Sequence, residues 1–194
     1  MFKDLVIKNR SYRAFDPNEK LTQEQLTDFV DYARLTPSSV NMQPLKYYLS
    51  YEESEVSEIL KNTFWAKGLP EINLPKENEG PQAFIVIVQD KSLNDNLNRF
   101  QKDVGIVAQT ILLAACEAGY GGCMIGSFLS DKIKEITNIP DHLEPLLVIA
   151  LGKPMERIEI VEVVENKTKY YRDENAHYVP KRALEDIIVL KKDK

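Results

Sequence analysis

The run Ala83-Phe84-Ile85-Val86-Ile87-Val88 contains no polar side chain and no turn residue. Side chains alternate between faces along a strand, so a run that is apolar at every position needs apolar cover on both sides. It predicts a central strand with helices above and below. The surrounding chain supplies them. Phe2–Lys8 reads as an amphipathic first helix. Thr22-Gln23-Glu24-Gln25 has the spacing of a capping box, with Leu21 and Leu26 as its hydrophobic staple. The helix it opens carries Leu26, Phe29, Val30 and Ala33 on one face, and Pro37 marks its end. Lys46–Tyr51, Cys123–Ile125 and Leu146–Leu151 read as strands. Glu53–Lys61 reads as a short helix, and Asp131–Thr137 as another, capped by Ser130.

The longest helical pattern extends from about Leu93 to Ala118. Its second half, Ile106 to Cys116, is apolar nearly all round, which calls for burial on every side, either at the centre of the domain or at a subunit interface. Gly119-Tyr120-Gly121-Gly122 ends it. Phe64–Gly80 mixes Phe64, Trp65 and Leu69 with prolines, glycines and charges, and reads as a loop or mobile cover. Ile158–Val164 alternates apolar and acidic residues, as an edge strand or extended arm does. Val189–Lys194 reads as a charged tail. These elements make an α+β (α/β) sandwich, a sheet flanked by helices, in a single domain spanning residues 1–194.

Several function classes fall away on composition. A net charge of −5 argues against non-specific binding to nucleic acid, so basic residues matter by location rather than by total. No apolar run approaches the ~18 charge-free residues of a membrane span. The opening Met1-Phe2-Lys3-Asp4 does not resemble a signal peptide. Cys116 and Cys123 do not make a disulfide framework, and their spacing, with His142 and His177 far apart, fits no zinc motif. They read as buried thiols of a cytoplasmic protein. No glycine-rich strand–turn–helix fingerprint and no Walker-type sequence is present, so side chains must hold any bound phosphate.

Four places can carry such chemistry. Arg10-Ser11-Tyr12-Arg13 sets two guanidiniums around a hydroxyl. It reads either as an anion clamp, with Arg10 and Ser11 on a phosphate and Arg13 on a carbonyl or ring edge, or as a solvated basic turn. Pro37-Ser38-Ser39-Val40-Asn41-Met42-Gln43-Pro44 is dense in groups that hydrogen-bond a planar heterocycle, yet also suits a polar loop entering a strand. Cys123-Met124-Ile125-Gly126 ends on a glycine that lets a ligand approach the backbone, or makes a plain strand-to-helix turn. Lys181-Arg182 either completes a phosphate site or lies on the surface. Phe64 and Trp65 suit stacking on a flat ring or a hydrophobic plug. His177, a lone histidine, receives no catalytic role.

The order of these segments resembles the nitroreductase family of flavin mononucleotide (FMN) enzymes. Asn9-Arg10-Ser11-Tyr12-Arg13 is similar to its N-terminal Arg-Arg/His-Ser-x-Arg/Lys motif. Pro37 to Pro44 is similar to its Pro-Ser-Ser-x-Asn-x-Gln-Pro loop, the most specific match. Gly119 to Gly126, Leu151-Gly152-Lys153-Pro154 and Val179-Pro180-Lys181-Arg182 resemble later family segments, so the likeness covers almost the whole chain. It implies a mostly antiparallel central sheet and an entwined homodimer with a flavin site shared between subunits. Arg10 and Ser11 would hold the FMN phosphate with Lys181 or Arg182, and Arg13 would meet the pyrimidine edge. Pro37, Ser38, Ser39 and Asn41 would come from the other subunit, and Ile125 and Gly126 would lie along the ring. NADH or NADPH would be the electron donor, and a nitroaromatic, quinone-like or other oxidised small molecule the acceptor, in a ping-pong cycle with no catalytic side chain of its own. A flavin-storing or anion-binding dimer without turnover, or a dehalogenating or flavin-cleaving relative, is the alternative. Two departures stand out: Asn9 replaces the first arginine, and Phe64–Gly80 offers only Asn73, Lys76 and Asn78 where some members place an Asn and a Lys on the ring.

Overall fold

Strand β2 (Ala83–Asp90) is buried at every residue. Its alternate side chains enter two separate cores: Ala83, Ile85 and Ile87 pack on one face, Phe84, Val86 and Val88 on the other. The computed structural model describes residues 1–69 and 71–189. Their contacts divide the chain into two compact units, Met1–Trp65 with Asn73–Met155, and Ala66–Ile72 with the chain from Glu156 onward.

The first unit is built on a sheet of order β1-β2-β4-β3, formed by β1 (Leu45–Ser50), β2, β4 (Leu143–Gly152) and β3 (Gly121–Ile125). Every pairing in it is antiparallel. Helices α2 (Gln23–Arg34) and α4 (Gln101–Glu117) cover one face, contributing Leu26, Phe29, Val107 and Ile111 to its core. Helices α3 (Glu53–Lys61) and α5 (Ser130–Thr137) cover the other through Val56, Ile59 and Ile133. Each fully buried Val, Ile or Phe side chain contributes about 1.5–3 kcal/mol, so the two-sided strand is the main anchor of this unit. Helix α1 (Phe2–Lys8) precedes these layers.

Local signals set the helix ends where side chains can reach the backbone. The Thr22 hydroxyl accepts the Gln25 N–H at 3.3 Å and Gln25 Oε1 accepts the Thr22 N–H at 2.9 Å, a reciprocal cap over buried Leu21 and Leu26. Two expectations need correction. Helix α4 starts at Gln101, not near Leu93. The side-chain oxygens of Asp90, Asn94 and Asn96 accept the backbone N–H groups of Ser92, Asn96 and Asn98, holding 90–98 in successive turns that compete with helix. Ser130 does not cap α5: Leu129 occupies that position, and the Ser130 hydroxyl donates to Glu144 at 2.9 Å.

Nor is the apolar half of α4 enclosed by its own chain. Val104, Val107, Ala108, Ile111, Leu112 and Ala115 are buried, but Ile106 is 40% exposed and Leu113 is half-buried.

The second unit holds a small sheet of order β5-β7-β6, made of β5 (Ile158–Glu162), β7 (His177–Lys181) and β6 (Tyr171–Arg172). β7 is central, paired in parallel with β5 and antiparallel with β6, so β5 is an edge strand. Tyr171 stacks on Tyr178 and Tyr170 on His177. The Tyr170 hydroxyl accepts the Gly68 N–H at 3.1 Å, tying residues 66–72 to this unit, and Arg172 pairs with Glu156. A short helix, α6 (Leu184–Ile187), follows. Of the expected charged tail, residues 190–194 lie outside the described residues.

Two stability predictions follow from the sheet. Asp90 ends β2, and hydrogen bonds from Lys46 Nζ (2.6 Å) and then Ser92 hold its carboxyl well below the usual 3.8. The folded state therefore favours the ionised form, a contribution present above pH 3.8 and lost as pH falls below it. Asp90→Asn should lower the melting temperature at neutral pH, and the gap to the parent should close in acid; thermal unfolding across that range checks it. At Gly122 an added Cβ would strike the Ala150 carbonyl oxygen, a backbone atom that cannot turn aside, and lie 2.7 Å from Leu112. Gly122→Ala should cost about 1–3 kcal/mol, read from denaturant unfolding.

Candidate functional site

Asn9 stops α1. It is buried, takes an extended backbone at φ −71° and ψ 100°, and turns the chain onto the sheet. The next residues run along β3, an edge strand: Ser11 bridges Gly122 in parallel fashion, and the Tyr12 N–H donates to the Gly122 carbonyl at 3.0 Å. Gly121 has no side chain because the Tyr12 ring packs there, 2.6 Å from where a Cβ would stand. This docking fixes both arginines. Arg10 curls over the carbonyl end of α1, donating from Nε to Asn9 O (2.6 Å) and from Nη2 to Val6 O (2.8 Å), a favourable place for a cation. Arg13 donates from Nη1 to Ser11 O at 3.1 Å. Ser11 is exposed, and Arg10 and Arg13 are half-buried.

Both thiols lie beside this segment. Burial pushes the Cys123 thiol up, with the Arg13 charge and a Ser11 hydrogen bond opposing. Burial also pushes Cys116 up, against Lys8 and Arg10. A raised thiol stays protonated, so neither cysteine is an activated nucleophile. Among the described residues, no group of three His, Cys, Asp or Glu side chains could hold a metal ion.

At the end of β3, the Ile125 side chain is 4% exposed and belongs to the core with Val86 and Ile133, so only its backbone can face a ligand. Gly126 is exposed, with nothing within 4 Å of the place a Cβ would take. That is open room for a flat ring. The Phe64 N–H donates to the Ser127 carbonyl at 2.8 Å, which brings Phe64, 48% exposed, next to this opening. Trp65 is turned back, its Nε1 donating to Thr63 at 2.8 Å.

The 37–44 loop is anchored on α4. The Ser38 hydroxyl donates to Asp103 Oδ2 at 2.7 Å and the Ser39 N–H to the same oxygen at 2.8 Å. Pro37, Ser39 and Asn41 are exposed, Ser38 half-buried. Beneath lies a cavity of about 80 Å³ lined by Ala33, Ser38, Gln43, Tyr47, Asp103 and Val107. Burial pushes the Tyr47 hydroxyl up to about 12. Asp103 escaped the sequence reading. Its only signal was an acidic residue in the first turn of a helix, which complements the helix dipole without naming a partner.

The expected residues therefore form separate groups within one chain. Asp103, holding Ser38 and Ser39, is in the first turn of α4. Cys116, which feels the Arg10 charge and lies 3.9 Å from the Leu5 carbonyl, is in the last. At about 1.5 Å per residue these helix ends are about 20 Å apart. Lys181 and Arg182 belong to the second unit, both exposed, with Arg182 donating to Asn166 at 2.8 Å. His177 is 2% exposed and stacked on Tyr170, a structural setting. Asn73, Lys76 and Asn78 are all exposed.

Known proteins give the chain's family and fold. The profile of the Nitroreductase family matches residues 6–153. A Methanothermobacter thermautotrophicus protein named as an NADH dehydrogenase/NAD(P)H nitroreductase is 29% identical over 159 residues, 79% of this chain and 77% of that one. A Bacillus subtilis protein named as an NAD(P)H nitroreductase is 20% identical over 180 residues, 79% of this chain and 89% of that one. A structure from Exiguobacterium sibiricum described as a nitroreductase in complex with FMN superimposes with a TM-score of 0.69 at 21% identity, covering 86% of this chain and 94% of the other. Among the described residues no helix is long and apolar enough to cross a membrane. With the family profile spanning the first unit from α1 to the end of β4, over the two arginines, the polar loop and the open glycine, the chain belongs to the nitroreductase family.

Proposed function

We propose that this protein is a cytoplasmic FMN-dependent oxidoreductase that passes reducing equivalents from NADH or NADPH to a nitroaromatic, quinone-like or other oxidised small molecule, in a ping-pong cycle. The observation that supports the reading is an Arg10–Ser11–Arg13 donor set docked at the start of β3, with open space over Gly126 just past its end. A flavin nucleotide needs a cationic, hydrogen-bonding seat for its phosphate and a flat opening for its ring, and these residues fit both. When bound, the flavin supplies the two-electron transfer, and the protein supplies position and electrostatics.

In this reading Arg10 and Ser11 hold the phosphate. Arg13 keeps a permanent positive charge at the pyrimidine edge, which favours negative charge gathering there. The Ile125 and Gly126 backbone lies along the ring. Phe64 offers an aromatic face beside it, excluding water and admitting planar acceptors. Pro37, Ser38, Ser39 and Asn41 come from a second copy of the chain. The ~20 Å that separate the two ends of α4 support this division, and the outward Ile106 and Leu113 supply an apolar face for the second subunit.

The purified protein should carry a flavin absorbance spectrum that bleaches on anaerobic addition of NADH or NADPH. A flavin spectrum that persists would replace reductase turnover with storage. Arg13→Ala should weaken FMN retention about tenfold, the scale of a lost charge-assisted contact, or lower the flavin's midpoint potential. Mixed dimers of an Arg10→Ala chain with an Asn41→Ala chain should recover one intact flavin site. Recovery of none would mean that each chain builds its own.

A further inference from the structure

The 37–44 loop holds a backbone that its own sequence disfavours. Val40, Asn41 and Gln43 have φ of 50°, 53° and 51°, in the left-handed region. Val40 is β-branched and 74% exposed, so little burial rewards its conformation. A conformation of this kind persists only where other contacts over-determine it. Here they converge on one atom. Asp103 is 5% exposed, and its Oδ2 accepts both the Ser38 hydroxyl and the Ser39 N–H. The Ser38 oxygen in turn accepts the Gln43 N–H at 3.1 Å, closing the loop from its far side.

Gln43 Nε2 lies 3.3 Å from the Asn41 backbone carbonyl and 3.1 Å from Asn41 Oδ1. A backbone carbonyl can only accept, so it sets which end of the Gln43 amide points that way. The amide NH₂ placed there then requires an oxygen from the Asn41 side chain. The Asn41 NH₂ is the end turned away.

We infer that Asp103 is a positioning residue for the flavin site: through Ser38, Ser39 and Gln43 it presets the loop so that Asn41 presents a hydrogen-bond donor to an acceptor atom of the bound ring. The inference rests on the FMN-binding function proposed above and adds Asp103 and Gln43 to it as residues that act without touching the ligand.

The test is FMN titration of flavin-stripped dimer, read by quenching of flavin fluorescence, with amide hydrogen exchange of the ligand-free protein beside it. Asp103→Ala should raise Kd about tenfold, the scale of a lost charge-assisted bond, and remove protection at the Ser39 and Gln43 amides. Asp103→Asn keeps one oxygen able to accept both donors, and should return Kd to within about threefold of the parent with protection restored. Asn41→Asp, which puts an acceptor where a donor is required, should bind more weakly than Asn41→Ala. Folded Asp103→Ala protein that binds FMN as tightly as the parent, or Asp103→Asn no better than Asp103→Ala, overturns the inference while leaving the flavin function standing. A parent protein that does not bind FMN overturns the function, and this inference with it. If Asp103→Ala does not fold, Gln43→Ala decides, since Gln43 touches Ser38 and Asn41 but is not placed on the ligand: weaker binding supports the relay, and an unchanged Kd overturns it.

Discussion

A strand with no polar face has to be covered twice, and the first unit is organised around that requirement. Because β2 sends alternate side chains into two cores, α2 with α4 and α3 with α5 must lie on opposite sides of the sheet. β4 carries the same two-sided pattern, Ile149 and Leu151 to one core, Val148 and Ala150 to the other. With β2 and β4 central, β1 and β3 become the edges. An edge strand exposes backbone donors and acceptors that need a partner. On β3 the Ser11–Tyr12 segment provides one, and in doing so brings Arg10 and Arg13 to the sheet. The cationic cluster is thus a consequence of how the sheet edge is closed.

The cluster is cationic in a chain that is anionic overall, so its potential is local. Arg10 is oriented by carbonyls at the end of α1, and Arg13 by the Ser11 carbonyl. For Arg10, these backbone acceptors orient the guanidinium without neutralising it as a carboxylate would. The neighbouring thiols are held neutral by burial and add no negative charge. At the other end of α4 the arrangement is inverted: a buried carboxylate, Asp103, gathers donors from a polar loop. One helix thus separates the basic group of candidate residues from a neutral, hydrogen-bonding one.

Elements held by local interactions are legible in the sequence. The capping box at Thr22, the first helix, the third helix and the buried β2 depend on interactions within a few residues, and periodicity reports those directly. The start of α4 was missed because Asp90, Asn94 and Asn96 divert backbone donors into turns, which an apolar count does not register. Ser130 was misread because its hydroxyl found Glu144, a partner on another strand. The full apolar wrap of α4 pointed to burial on all sides, but one chain covers a single face. The helix pattern cannot say whether the remaining cover comes from the same chain or another.

By itself, the sequence determined the layer architecture, the two-faced central strand and the residue types of the candidate site, because apolar periodicity and short motifs are properties of neighbouring residues. The tertiary structure alone decided three further things. It set Ile125 into the core and left Gly126 open, since which side of a strand end meets solvent depends on the helices packed over it. It placed Phe64 beside that opening through a backbone bond to Ser127. And it joined Ser38 to Asp103 across 65 positions of chain, giving the strained 37–44 loop its anchor. Contacts between residues so far apart in sequence leave no period to read. They exist only once the hydrophobic layers have brought the two segments together.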